Sequence, residues 1–185
     1  WRDVFGLGLV GLALLAVLAF SRPYIMDRLS SFLDPTADPQ GKSYQINQTL
    51  IAIGSGGIPG RGFGQSIQKF EHLPEPISDS IFAVYSEEFG FIGSALLVLV
   101  FSFFAFRGYK IATEAADLFG MLLVVGFITL IVSQAFLNIA AMLALAPLSG
   151  LPLPFASHGG TALFATLASI GIILNVSKYR KKRTS

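Results

Sequence analysis

The chain has 185 residues, thirteen Lys and Arg against eleven Asp and Glu, a formal charge of +2 and 53% hydrophobic residues. A mean hydropathy of +0.66 with only 13% charged residues excludes an ordinary soluble domain and indicates a polytopic membrane protein. The absence of cysteine excludes disulfides, thiolate catalysis and cysteine-based metal sites, and His72 and His158 lie too far apart in sequence to suggest a His-rich metal motif.

Apolar runs predict four transmembrane helices, at residues 4–20, 89–106, 118–145 and 161–176, each close to the roughly 20 residues that cross about 30 Å of hydrocarbon. The fold class expected is all-α, a single membrane domain over residues 1–185. The opening WRDVFGLG has neither an initiator Met nor a signal-peptide pattern, so the sequence reads as part of a longer protein. The first run ends at Ser21-Arg22-Pro23, where Arg22 can snorkel and Pro23 stops the helix. The third is longer than a single crossing requires, which predicts tilt or continuation beyond the membrane before Pro147.

Residues 21–78 form a loop far longer than a helix connection needs. Within it, YQINQTLIAIGSG places Ile46, Leu50, Ile51 and Ile53 at helical spacing, and FGQSIQKF does the same with Phe63, Ile67 and Phe70. Short amphipathic helices at the membrane interface are expected there. Lys and Arg in short flanking segments set the orientation. Arg107 and Lys110 lie in one connection, and Lys178, Arg180, Lys181, Lys182 and Arg183 crowd the tail, whereas PLSGLPLPFASHGG carries neither residue type. Both ends and the Arg107 segment are therefore expected on the cytoplasmic side, and the loop 21–78 outside. The basic tail suits an anionic membrane surface, and no nucleic-acid partner is assigned.

Three stretches carry chemistry. GSGGIPGRGFG lacks the ending of a Walker loop, does not fit G-x-G-x-x-G and follows no strand, so it reads as a glycine hinge between two interfacial helices. Arg61 and Lys69 could still meet a phosphorylated head group from beside it. In SDSIFAVYSEEFGFIG a helix beginning near Asp79 stacks Ala83, Ser86 and Gly90 on the face of that carboxylate, with Glu87 to one side and Glu88 roughly opposite. Asp79 then either opens onto a small-residue groove or caps the helix. Gln134 and Asn138 lie one turn apart in an apolar span, a spacing that bonds helix to helix. Prolines 147, 152 and 154 and the pair Gly159-Gly160 forbid a continuous helix, and backbone left unpaired there must border protein or a wet cavity.

Read together, FLDPTADPQGKSYQINQTLIAIGSGGIPGRGFGQSIQKFEHLPEP, SDSIFAVYSEEFGFIG, QAFLNIA and PLSGLPLPFASHGGTAL resemble, in order, the motifs of the SEDS proteins (FtsW, RodA, SpoVE). These are polytopic glycosyltransferases that polymerise peptidoglycan, and the match looks like their C-terminal portion. QKFEHLPEP leans toward the FtsW type. The family's essential aspartate, in a T-D-F-I-F-A motif, falls on Asp79, with Ser78 in place of the usual Thr and Ser80 in place of Phe. SHGGTAL puts His158 where Tyr is usual and Thr161 where Ser is usual.

The resemblance implies lipid II, an undecaprenyl-diphosphate carrying a disaccharide-pentapeptide, polymerised outside the bacterial cytoplasmic membrane. It also implies a class B penicillin-binding protein transpeptidase and divisome or elongasome proteins as partners. Asp79 would be the catalytic base. Lys69, Arg61 and Arg28 would steady the departing diphosphate, and Glu87, Gln134, Asn138 and Ser157 complete the substrate-binding candidates. A divalent cation, Mg or Mn, is the one cofactor the chemistry leaves room for, and no metal ligand is named. Two other readings share the sequence: a lipid II flippase, and a scaffold that docks the transpeptidase.

Overall fold

A computed structural model describes residues 5–6, 8–11, 13–14, 32, 43–71 and 78–179. All its regular elements among these residues are helices. They are α1 (Tyr44–Ser55), α2 (Gln68–Glu71), α3 (Ile81–Thr113), α4 (Leu118–Met142) and α5 (Gly160–Lys178). Three of them, α3, α4 and α5, are long and apolar enough to cross a membrane. Of the first expected span, the described residues at 5–6, 8–11 and 13–14 are helical; the span as a whole lies outside the described residues, as does most of 21–42.

α4 begins where its sequence says it should. The Asp117 carboxylate accepts the Gly120 amide at 3.0 Å, a charged N-cap on the positive end of the helix dipole. It then buries one stripe at helical spacing, Val124, Ile128, Ile131, Ala135, Asn138 and Met142. It stops three residues short of the expected 145, because Ala144 takes a positive φ of 55° ahead of Pro147. Phe101, Gly108 and Ala112 are the buried residues of α3 toward this layer. At Gly108 a side chain would collide with Ile128, so the absence of one lets α3 and α4 approach closely. α5 packs against α4 and α3 with Ser169 and Ile173 buried.

α3 is longer than the predicted run 89–106 at both ends, and it is not one straight helix. At Gly90 the backbone takes φ 65° and ψ −162°, a conformation essentially restricted to glycine. A break at such depth leaves amides and carbonyls that hydrocarbon cannot satisfy. The glycine-rich segment after α1 satisfies them. The amides of Phe91 and Ile92 donate to the carbonyls of Gly57 and Ile58, at 2.9 and 3.2 Å, and the amides of Arg61 and Gly62 donate to the carbonyls of Glu87 and Glu88, at 3.0 and 2.9 Å. The segment expected as a hinge is thus a backbone plug seated in the α3 break.

α1 covers the first half of α3. It buries Ile46, Thr49 and Ala52, while Leu50 and Ile51 are exposed, so half of its apolar residues turn inward. The second predicted amphipathic helix is reduced to the single turn α2. Gly62 and Gly64 hold positive φ and keep the chain irregular through Phe63, which is exposed.

Candidate functional site

The turn at residues 78–80 enters α3, and three elements fix it in place. Asn138, on α4 and only 1% exposed, donates to the carbonyl of Asp79 at 2.8 Å and to that of Leu151 at 2.7 Å. The Ser157 hydroxyl donates to the carbonyl of Ser78 at 2.5 Å and accepts the Leu153 amide at 2.7 Å. Gln134, one turn before Asn138, donates to the carbonyl of Pro152 at 2.8 Å. The proline-rich connection after α4 is thereby tied to the turn before α3, its unpaired backbone bordering protein as expected. Phe155 in this connection holds a positive φ of 67°, and such conformations persist only where surrounding structure enforces them.

Asp79 itself is half-buried. One carboxylate oxygen, Oδ2, receives a long hydrogen bond of 3.4 Å from Gln45 on α1; the other, Oδ1, is buried and carries no hydrogen bond among the described residues. Asp79 does not cap the helix: Ser80 is the N-cap residue, and no side chain makes the capping bond. Of the two alternatives left open by the sequence, capping is not made, and Asp79 does not line the small-residue groove either.

Ala83, Ser86 and Gly90 are buried. Ser86 and Gly90 line an apolar groove of about 650 Å³ with Ile53, Phe82, Ser94 and Ile139, and Asp79 is not among its lining residues. The helix starts at Ile81, so extending its face back to Asp79 overshoots a turn. The groove begins instead at Phe82, three residues on. Its two hydroxyls are internally satisfied, Ser94 donating to Ser86 Oγ at 2.8 Å and Ser86 to the Phe82 carbonyl at 2.8 Å, which leaves a surface suited to hydrocarbon.

A second cluster forms around Glu87, which is 0% exposed. Its carboxylate accepts from Ser66 Oγ at 2.6 Å, from the Ile67 amide at 3.1 Å and from the Gln68 amide at 3.3 Å. Arg61 Nε lies 3.5 Å away and 3.4 Å from the Ser55 carbonyl. This differs from the expected substrate contact for Glu87: a carboxylate enclosed by protein donors anchors the loop between α1 and α2, while the Arg61 side chain beside it stays 38% exposed. Lys69 is half-buried and lines a different cavity, one shared with Glu88. Arg28 lies outside the described residues.

Of the residues chosen from sequence, the fold brings together Asp79, Asn138 and Ser157, with Gln134 one turn away, and separately Glu87 and Arg61. Gln45 and Ser66 were missed. Both are ordinary polar residues in amphipathic stretches, and their partners lie 34 and 21 residues away, a pairing no local pattern encodes. Among the described residues no group of three or more His, Cys, Asp or Glu could hold a metal ion.

The sequence profile of the FtsW/RodA/SpoVE family, described as a cell cycle protein, matches residues 1–182. The chain is 47% identical over 175 residues to stage V sporulation protein E of Bacillus subtilis (strain 168), covering 95% of this chain and 48% of that protein. It is 41% identical over 174 residues to a probable peptidoglycan glycosyltransferase FtsW of Geobacter sp. (strain M18), covering 94% of this chain and 47% of that protein. The chain spans about half the length of the curated relatives it matches. A solved chain from a structure described as coordination of polymerization and crosslinking by a peptidoglycan synthase complex superposes with a TM-score of 0.71 at 30% identity, covering 96% of this chain and 49% of that one. This chain therefore belongs to the FtsW/RodA/SpoVE family of membrane proteins.

Proposed function

We propose that this protein is a peptidoglycan glycosyltransferase that polymerises lipid II at the outer face of the bacterial cytoplasmic membrane. The observation that carries the reading is the Asp79 carboxylate, with Oδ1 unbonded among the described residues, on a turn whose carbonyls are pinned by Asn138 and Ser157. Rigid support beneath an unoccupied acceptor is what a general base requires.

In the reaction, an acceptor sugar hydroxyl attacks the anomeric carbon that carries the diphosphate. The new glycosidic C–O bond forms as the bond to the diphosphate oxygen breaks, Asp79 takes the hydroxyl proton, and the polyprenyl diphosphate leaves with the bonding electrons. Asn138 and Ser157 act through the backbone of Ser78 and Asp79 and are positioning residues. The apolar groove starting at Phe82 suits the polyprenyl tail, which keeps the sugar near the turn while the lipid stays beside hydrocarbon. A divalent cation held near Asp79 would supply charge neutralisation for the leaving diphosphate. Both chain ends face the cytoplasm in this reading, and a class B penicillin-binding protein is the partner that crosslinks the product.

The test is polymerisation of purified lipid II by the full-length protein in detergent, where no membrane sidedness exists. Asp79→Asn, which removes the base, lowers glycan polymer by about 10²- to 10⁴-fold and leaves folding intact. Polymer formed by Asp79→Asn at the wild-type rate sinks the assignment. Wild-type protein that makes no polymer yet moves lipid II across vesicles favours a carrier instead.

A further inference from the structure

Three residues that line the apolar groove, Gly54, Gly57 and Gly90, have no side chain. Bare backbone beside hydrocarbon is costly unless its polar groups are paired. Here the three carbonyls are paired. That of Gly54 accepts the Gly57 amide at 3.4 Å, and that of Gly57 accepts the Phe91 amide at 2.9 Å. The Gly90 carbonyl lies 2.9 Å from the Ser94 hydroxyl, a donor it shares with Ser86 Oγ. The groove is therefore widened at its glycines without presenting an unpaired acceptor to a lipid chain.

Two of the three need glycine for the fold itself. Gly57 and Gly90 hold positive φ of 56° and 65°, and a Cβ on Gly90 would run into the backbone of Gly60 and Ile58. Gly54 has neither reason. It lies within α1, outside the positive-φ region, and no atom lies within 4 Å of where its Cβ would sit. Glycine is a weak helix former, so α1 gives up stability at this position without a gain in packing. Of the helical glycines with such open space among the described residues, Gly54 is the one on the groove. What the missing side chain leaves is room for an occupant.

From Phe82 to Leu99 the groove follows α3 for roughly 25 Å of helix, into the stretch apolar enough to cross a membrane. Straight acyl chains surround it there. A polyprenyl chain differs from them in shape, carrying a methyl branch on every isoprene unit. Room at Gly54 admits the branch, whereas a straight chain leaves the room empty and forfeits contacts. One such carbon in a close-fitting apolar site discriminates by about 10- to 200-fold.

We propose that Gly54 sets the width of the groove and that this width selects a methyl-branched polyprenyl chain over straight acyl chains. The inference rests on the reading that the groove takes the polyprenyl tail, and it names the feature of the tail that is recognised.

Native mass spectrometry of the delipidated full-length protein tests it, with a polyprenyl phosphate and a straight-chain alkyl phosphate of the same carbon number, so that only chain shape differs. Wild-type protein retains the polyprenyl phosphate about tenfold better. Gly54→Leu brings it down to the straight-chain level, and Gly126→Leu, at an open glycine away from the groove, leaves the preference as it was. Thermal unfolding in the same detergent confirms that each variant is folded. Equal retention of the two lipids by wild-type protein overturns the proposal without reference to any variant. So does a folded Gly54→Leu protein that keeps the preference, or one that loses both lipids alike. Retention requires no turnover: an absent preference beside intact polymerisation overturns this inference alone, and an intact preference without polymerisation overturns only the proposed activity.

Discussion

Asn138 holds Asp79 by the main chain, leaving the carboxylate free of that contact. Its single amide nitrogen donates to the Asp79 carbonyl at 2.8 Å and to the Leu151 carbonyl at 2.7 Å. One side chain thereby ties α4 to the turn before α3 and to the connection after α4. Ser157 repeats the arrangement one residue earlier, on Ser78. The turn is held from below by two side chains that need not touch a substrate.

Asn138→Asp is therefore expected to be more damaging than Asn138→Ala, although Asp is the closer match in shape. Alanine leaves two buried carbonyls without donors, at about 1–3 kcal/mol each. Aspartate adds a carboxylate oxygen facing both of them. Thermal unfolding in detergent should rank wild type above Ala above Asp, and glycan polymer should fall in both variants. Asp79→Asn should lose polymer with little change in unfolding temperature, because among the described residues its side chain makes only the long bond to Gln45. An Asn138→Asp variant as stable as wild type would contradict the clamp.

Glu87 makes a different prediction, one about local order. Its carboxylate collects Ser66 Oγ and the amides of Ile67 and Gln68, with Arg61 nearby. Glu87→Ala strips the acceptor from Ser66 Oγ and the amides of Ile67 and Gln68, at about 1–3 kcal/mol for a buried donor left unpaired. Arg61, 38% exposed on its side chain, is rehydrated by water. Hydrogen exchange should show the 67 and 68 amides losing protection while amides in the middle of α4 keep theirs. If Glu87 served substrate alone, protection at 67 and 68 would be unchanged.

Much of this arrangement is written locally, and the rest is not. The start of α4 is legible because Asp117 caps it and a helical-period stripe follows, and Asn138 and Gln134 stand out as polar residues in an apolar run. Asp79 was legible as a carboxylate beside a membrane segment, and the motif resemblance singled it out. The break at Gly90 was not legible. A glycine inside an apolar run reads equally well as a tolerated small residue, and what forces the unusual conformation is the segment 57–62, some thirty positions earlier in the chain. The same non-local pairing hid the role of Glu87, whose donors arrive on the loop that the break receives. Of Ala83, Ser86 and Gly90, expected to share a groove, Ser86 and Gly90 line it and Ala83 does not, Phe82 taking that place; Asp79 fell outside it because its turn is not helical.

The plug between the glycine segment and the α3 break gives the sharpest comparison among substitutions of one chemical type. At Gly90 a Cβ would run into the backbone of Gly60 and Ile58, and at Gly60 into the backbone of Glu88 and Phe89; both residues also hold positive φ, 65° and 84°. Neither clash involves a flexible side-chain end, so nothing can yield without breaking the backbone bonds that satisfy the α3 interruption. At Gly126, on α4, no atom lies within 4 Å of where a Cβ would sit, and alanine there is worth about 0.5–1 kcal/mol of helix stability. Gly90→Ala and Gly60→Ala should therefore lower the unfolding temperature sharply and reduce the yield of folded protein, whereas Gly126→Ala should hold or raise it. Thermal unfolding of the three variants in one detergent decides the matter. A Gly90→Ala protein that unfolds at the wild-type temperature would mean that the α3 break does not need its glycine.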